Sequence, residues 1–256
     1  MSAPPVLAEA DGVLLRITLN RPRRRNAVDL PMAKALAAAL DRLDDDPDLG
    51  VGVIVGAGKG FCSGLDMTAY EESGELPILP ERGFAGIGAR SARKPLIAAI
   101  EGFAVAGGLE IALACDIIVA ARGAILGLPE VRRGLIAAGG GLFGLTRRMA
   151  LGAALELALT GEPIDAERGA EIGLVDRLVS PGEALAEAIA IGERLAVGAP
   201  LAVAATKAVL RRGWNLGEDE FRALQEELAA PVIGSADAAE GVLAFNQRRA
   251  PRWSGR

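Results

Sequence analysis

Leu96-Ile97-Ala98-Ala99-Ile100-Glu101-Gly102-Phe103-Ala104-Val105-Ala106-Gly107-Gly108-Leu109-Glu110 is the stretch on which the architecture of this chain turns. Its first five residues are all apolar and bounded by turn residues, the pattern of a short strand buried on both faces. A helix then starts at Gly107, with Glu110 in its first turn. The same order of buried strand, tight turn and helix returns downstream. Strands at 117–120 and 124–126 precede a helix started by Pro129, and a further strand follows at 174–178. Strands alternating with helices predict an α/β fold with parallel pairing.

Upstream, 6–9 and 13–19 alternate as strands around an Asp11-Gly12 hairpin turn. Asp29 caps a helix from about Pro31, with Met32, Leu36, Ala39 and Leu40 as its apolar stripe. A short buried strand at 51–55 leads into the glycine-rich stretch 56–64. Residues 70–81 are polar, acidic and broken by Gly74, Pro77 and Pro80, which predicts a mobile surface loop. From 183 onward the pattern is helical throughout, at 183–196, 201–212, 218–229 and 236–248.

Composition narrows the function classes. The 256 residues amount to between one and two domains at about 150 residues each. Apolar residues make up 51%, which excludes intrinsic disorder. Lys+Arg 28 against Asp+Glu 33 leaves a net charge of −5 with no block of five like charges, so no nucleic-acid partner is expected. The most apolar stretch, 96–121, is cut by Glu101, Glu110 and Asp116, and falls short of the roughly 18 uninterrupted residues of a membrane span. No membrane partner is expected either. The opening Met1-Ser2-Ala3-Pro4-Pro5 lacks the charged-then-apolar order of a signal peptide, and Cys62 and Cys115 make no disulfide framework; the expected compartment is the cytoplasm.

The chain contains no histidine. That removes Ser-His-Asp and Cys-His catalysis and most zinc and haem ligation, so no metal is expected. Proton transfer near neutral pH must then run through groups with shifted pKa values, carboxylates first among them.

Gly56, Gly58 and Gly60 follow a strand but are spaced G-x-G-x-G, and Lys59 sits between glycines. Neither the dinucleotide nor the phosphate-loop pattern is met. Two readings remain for this loop: a backbone that needs positive φ and close approach, or one that presents its N–H groups to a ligand. Gly107-Gly108 is open in the same way, either a tight turn or a helix N-terminus whose free donors meet a ligand oxygen. Glu110 and Glu130 each stand on a first helical turn against apolar sequence, where desolvation pushes a carboxyl pKa upward. Dipole partnership alone would also place them there.

Taken together, the segments resemble the enoyl-CoA hydratase/isomerase, or crotonase, family. Asn20-Arg21-Pro22 with Asn26-Ala27, the run from Gly58 to Asp66, and Lys94-Pro95 through Gly107-Gly108-Leu109-Glu110 to Cys115-Asp116 carry the resemblance. So do Gly127-Leu128-Pro129-Glu130 with Gly134, and a closing segment with Asp237, Glu240-Gly241, Ala244-Phe245 and Arg249-Ala250-Pro251. The matches run in order along nearly the whole chain.

The resemblance implies a spiral of repeated ββα units over 1–195 and a helical region, 196–256, that builds trimers or dimers of trimers and closes the active site. It implies a hydro-lyase acting on an acyl-CoA substrate, adding water across the 2,3 double bond of an enoyl-CoA in fatty-acid or related β-oxidation, with no cofactor beyond the coenzyme A of the substrate. Leu65 and Gly107 would supply the backbone N–H groups of an oxyanion hole, Glu110 would activate water, and Glu130 would exchange a proton with the α-carbon. Arg24, Ala27, Ser63, Gly64, Asp66, Met67, Gly108 and Ala138 would line the substrate. Arg23 to Arg25 could meet the phosphates of CoA or form a solvated basic turn. The sequence departs from the family at Ala137, where many hydratases carry proline, and 70–81 has no family pattern. A Δ3-Δ2 isomerase or another lyase on the same scaffold is the alternative, and a non-catalytic acyl-CoA-binding protein a more distant one.

Overall fold

Alternation in the first twenty residues folds as a hairpin. Strand β1 (Val6–Asp11) pairs antiparallel with β2 (Leu14–Leu19), with Asp11 opposite Leu14 around Gly12. The computed structural model describes residues 3–256, so Met1 and Ser2 of the opening stretch read above lie outside it. Helix α1 (Leu30–Asp45) starts as its cap predicts: Asp29 Oδ1 accepts from the Met32 N–H at 2.9 Å, an interaction worth about 1 kcal/mol. Its Met32, Leu36, Leu40 and Leu43 are fully buried. Strand β3 (Val51–Gly56) then runs parallel to β2.

The expected loop at 70–81 instead carries structure. Helix α2 (Met67–Ser73) is capped by Asp66, which accepts from the Ala69 N–H, and closed by Gly74 at φ 70°. Strands β4 (Ile78–Leu79) and β5 (Gly83–Phe84) pair behind it. A seven-residue helix without a buried residue leaves no 3.6-residue apolar period to read.

Strand β6 (Leu96–Ile100) is followed by β7 (Phe103–Val105) and α3 (Gly107–Ala114), then β8 (Ile117–Ala121) and β9 (Ile125–Gly127). The pairing β6 parallel to β8, and β7 parallel to β9, stacks one ββ unit directly on the next. Cys62 bridges to Ala104 in the same sense, which brings the preceding unit into the stack. That repetition is the predicted spiral. All five β6 residues are buried, and they alternate between two cores. Leu96, Ala98 and Ile100 join the core that holds Leu36 and Leu40, whereas Ile97 and Ala99 face the opposite side.

Beyond β9 two expectations shift. The Pro129-started helix is a single 3₁₀ turn, Pro129–Arg133, stopped by Gly134 at φ 71°. Helices α4 (Gly141–Thr146) and α5 (Leu151–Thr160), strand β10 (Ile164–Asp165) and helix α6 (Ala166–Glu171) follow. The strand expected at 174–178 begins three residues later as β11 (Arg177–Val179), because the N–H groups of Leu174 and Val175 both donate back to Gly169 O and close α6 instead. The large sheet has the order β1-β2-β3-β6-β8-β11, parallel from β2 onward.

Helix α7 (Ala184–Ala196) covers one face of this sheet with Ala184, Ala188 and Ile191, against Ile97 and Ala99. The chain then bends by 110° into α8 (Pro200–Gly213), followed by α9 (Glu218–Ile233) and α10 (Ala236–Gln247). Asp116 anchors α8 to the body: it accepts from Lys207 Nζ at 2.7 Å, from Arg211 at 2.8 Å and from the Leu96 N–H at 2.8 Å. Among the described residues no single helix is long and apolar enough to cross a membrane.

Candidate active site

The site is built where the second layer of the spiral meets the N-terminus of α3. Val28 forms a parallel bridge with Leu65, its N–H donating to Gly64 O at 2.7 Å while its carbonyl accepts from the Asp66 N–H at 2.9 Å. In a parallel bridge the central residue's own N–H points away, so Leu65 turns its donor outward from Val28. Gly107 is the first residue of α3, where an N–H has no carbonyl one turn back. Among the described residues neither the Leu65 nor the Gly107 N–H donates to another protein group.

Gly64, at φ 92°, brings these two donors onto adjacent backbone. A Cβ there would lie 2.8 Å from Gly107 N, so only glycine fits. Gly108 is equally constrained: a Cβ would overlap the Cys62 carbonyl, so its part is the close seating of α3 on the strand beside it. Burial pushes the Cys62 thiol up to about 12, leaving it a donor to Asn26 O at 3.0 Å rather than a nucleophile.

Glu110, in the first turn of α3, is buried, with Oε1 accepting from the Gly141 N–H at 2.9 Å. Burial pushes its carboxyl above the ordinary range. The Gly141 N–H opposes that rise, the charge of nearby Glu130 adds to it, and the Gly139 N–H opposes it again. Glu130 sits half-buried on the 3₁₀ turn, and its Oε2 is buried without a hydrogen-bond partner. Burial raises its pKa too, against the pull of its own backbone N–H and of Arg133. Two carboxyls within electrostatic reach, both displaced toward the protonated form, are suited to exchanging protons.

The remaining predicted residues divide. Ser63 is half-buried, its N–H donating to Arg25 O at 3.1 Å; Met67 is exposed at the start of α2; and Arg24 stands exposed on the 3₁₀ turn Pro22–Arg24. Asp66 is committed within the protein. It caps α2 and pairs with Arg21 at 2.9 Å, so despite burial, which raises its pKa, the Ala69 N–H and Arg21 hold its carboxyl below the usual range. Ala27 is buried and gives its carbonyl to Arg21. The Ala138 N–H donates to Ile136 O at 2.8 Å, and it is Gly139 and Gly141 that reach Glu110.

Four contributors were given no role at the site by the sequence reading. Asn26 is fully buried at φ 55°, and its Nδ2 donates to the carbonyls of Ala57, Gly60 and Phe61 at 2.9–3.0 Å, tying the glycine-rich loop shut. The Asn26-Ala27 motif was the available signal, and Asn tolerates the left-handed backbone found here. Gly139 and Gly141 carry no side chain to announce a contact with Glu110. Phe84, on β5, packs over both Gly107 and Gly139.

A profile of the enoyl-CoA hydratase/isomerase family matches residues 9–256. The chain belongs to that family. An enoyl-CoA hydratase of Mycobacterium tuberculosis, EchA19, is 36% identical over 100% of this chain and 98% of its own. A mevalonyl-coenzyme A hydratase of Aspergillus fumigatus is 35% identical over 94% of this chain and 91% of its own. Among solved structures, the enoyl-CoA hydratase EchA1 of Mycobacterium marinum superposes with a TM-score of 0.96 at 46% identity, covering 99% of this chain and 100% of that one. The spiral described above is thus the crotonase fold, and an acyl-CoA thioester is the substrate theme of the family.

Proposed function

We propose that the chain is an enoyl-CoA hydratase that adds water across the 2,3 double bond of a 2-enoyl-CoA. The observation that carries this reading is the convergence of two pKa-raised carboxyls, buried Glu110 and half-buried Glu130, with the uncommitted N–H groups of Leu65 and Gly107. Water attacks the β-carbon only if the electron pair of the double bond moves onto the thioester oxygen as an enolate. The two N–H groups hold that oxygen. One such donor typically contributes about 2.7–4 kcal/mol.

The glutamates divide the protons. Glu110, whose carboxylate is stabilised by the amides of Gly139 and Gly141, takes the proton of the attacking water as the C–O bond forms. Glu130, whose buried Oε2 has no donor to stabilise its charge, delivers a proton to the α-carbon as the enolate collapses. One proton then returns from Glu110 to Glu130 to reset the pair. Arg24, exposed at the rim, is suited to a CoA phosphate, and Ser63, Gly64, Met67 and Gly108 lie on the segments that flank the thioester. Residues 196–256 serve as the region of self-association into trimers or pairs of trimers, with large apolar side chains such as Ile233 and Phe245 exposed on α9 and α10.

The test is incubation with crotonyl-CoA, following loss of the absorbance of the conjugated thioester and identifying the product. Formation of 3-hydroxybutyryl-CoA is expected. No hydration of any 2-enoyl-CoA, with conversion of a 3-enoyl-CoA to its 2-enoyl isomer instead, would replace this reading by that of an isomerase.

A further inference from the structure

Phe84 occupies an unusual place for a residue outside every motif of the chain. A Cβ added at Gly107 would run into the far edge of its ring, and one added at Gly139 would lie 2.8 Å from its Cβ and Cγ. The ring therefore spans from the first amide of α3 to the turn whose amides hold Glu110. The same virtual Cβ at Gly139 lies 2.6 Å from Glu110 Oε2, so ring and carboxylate converge on one point. An acyl group whose thioester oxygen rested on Gly107 and whose β-carbon reached Glu110 would lie beside this ring.

The backbone under Phe84 is fixed. Its carbonyl accepts from the N–H groups of Ile87 and Gly88 at 3.1 and 2.9 Å, and Ala85 N–H donates to Pro77 O at 2.8 Å. Gly83, Ala85 and Gly86 all adopt left-handed φ between 55° and 75°, and Ala85 and Ile87, which follow the ring, are buried. A turn with three left-handed residues, one of them an alanine, persists only where its surroundings determine it. The backbone that carries the ring is thus held in place.

We propose that Phe84 bounds the acyl site, admitting compact acyl groups and excluding long ones, an inference that rests on the acyl-CoA reading above. The experiment compares the wild type with Phe84→Ala and Phe84→Leu. Two readouts are taken: kcat/KM for crotonyl-CoA and trans-2-decenoyl-CoA, and calorimetric affinity for the unreactive butyryl-CoA and decanoyl-CoA. The wild type is expected to prefer the four-carbon ester in both. Phe84→Ala is expected to raise the ten-carbon to four-carbon ratio at least about tenfold, the scale on which a few carbons of pocket wall discriminate. Phe84→Leu, which keeps an apolar side chain in the turn, should fall between, and decides the matter alone if the alanine variant does not fold. An unchanged ratio in a folded variant, or a wild type that prefers the ten-carbon ester, overturns the assignment. A shifted binding ratio without hydration by any of the proteins supports Phe84 while overturning the hydratase reading.

Discussion

Glu110 and Glu130 are held in a state that costs the fold stability. A carboxyl whose pKa is raised on folding stabilises the protein only below its unfolded pKa, and that contribution is lost as pH rises through the folded value. At neutral pH both residues therefore work against the native state. Glu110→Gln keeps an oxygen for the Gly141 N–H and removes the buried charge, and Glu130→Gln offers a neutral group where Oε2 has no partner. Each variant is expected to melt at a higher temperature than the wild type at pH 7–8, with the gain shrinking as pH falls toward the ordinary glutamate range. Turnover of crotonyl-CoA should drop about 10²–10⁴-fold in each, with CoA-ester binding kept. Melting curves across pH, beside kcat, check both halves. A variant with near wild-type rate would remove that glutamate from the chemistry.

At the scale of elements, the site is a set of backbones brought together by missing side chains. Gly107 illustrates this: a methyl there would meet the Phe84 ring before any substrate. Gly107→Ala should therefore destabilise the protein, and Phe84→Ala should relieve part of that loss, giving non-additive melting temperatures in a double-mutant cycle. The Phe84→Ala background also isolates the donor. Position 107 opens α3, where a helix tolerates proline, but Ala106 at φ 51° and ψ −132° is disfavoured before proline, so Gly107→Pro is compared there with Gly107→Ala only where the two proteins melt alike. About 10²–10³ lower kcat is expected for the proline variant. Equal rates in two folded proteins would show that Gly107 does not hold the thioester oxygen.

The same logic explains what could be read from the chain. The cap at Asp29, the start of α3 at Gly107, the buried β6 and the four C-terminal helices are marked by local residue choice or side-chain periodicity, and they stand within a few residues of where the pattern puts them. Glu110 and Glu130 were legible as first-turn acids in apolar surroundings. The short α2 and the 3₁₀ turn at Pro129–Arg133 were not, because neither is long enough to show an apolar period, and the hold of Gly139 and Gly141 on Glu110 was not, because it joins residues some thirty positions apart.

The whole molecule carries more apolar surface than its own fold covers. On the tail, Ile233 is 74% and Phe245 84% exposed, with Val242 and Leu243 beside the latter. On α5, Leu151, Leu155 and Leu159 recur every fourth residue and all face outward, Leu159 at 69%. Contiguous apolar faces of this kind mark interaction surfaces, and burying one such side chain contributes about 1.5–3 kcal/mol. The tail is also braced to present its face. Asp237 accepts from the Ser254 and Gly255 N–H groups at 2.6 and 2.9 Å, and Glu240 pairs with Arg249 at 2.6 Å, which folds the last residues back on α10. Trp253 Nε1 donates to Val197 O at 2.7 Å and so ties that end to the bend between α7 and α8. Light scattering on the intact chain is expected to give a mass of three subunits or a multiple of three at micromolar concentration. Phe245→Asp, which places a charge in the centre of the exposed face, should shift that mass toward the monomer without unfolding the spiral. A fully active wild-type monomer would show instead that these faces have another use.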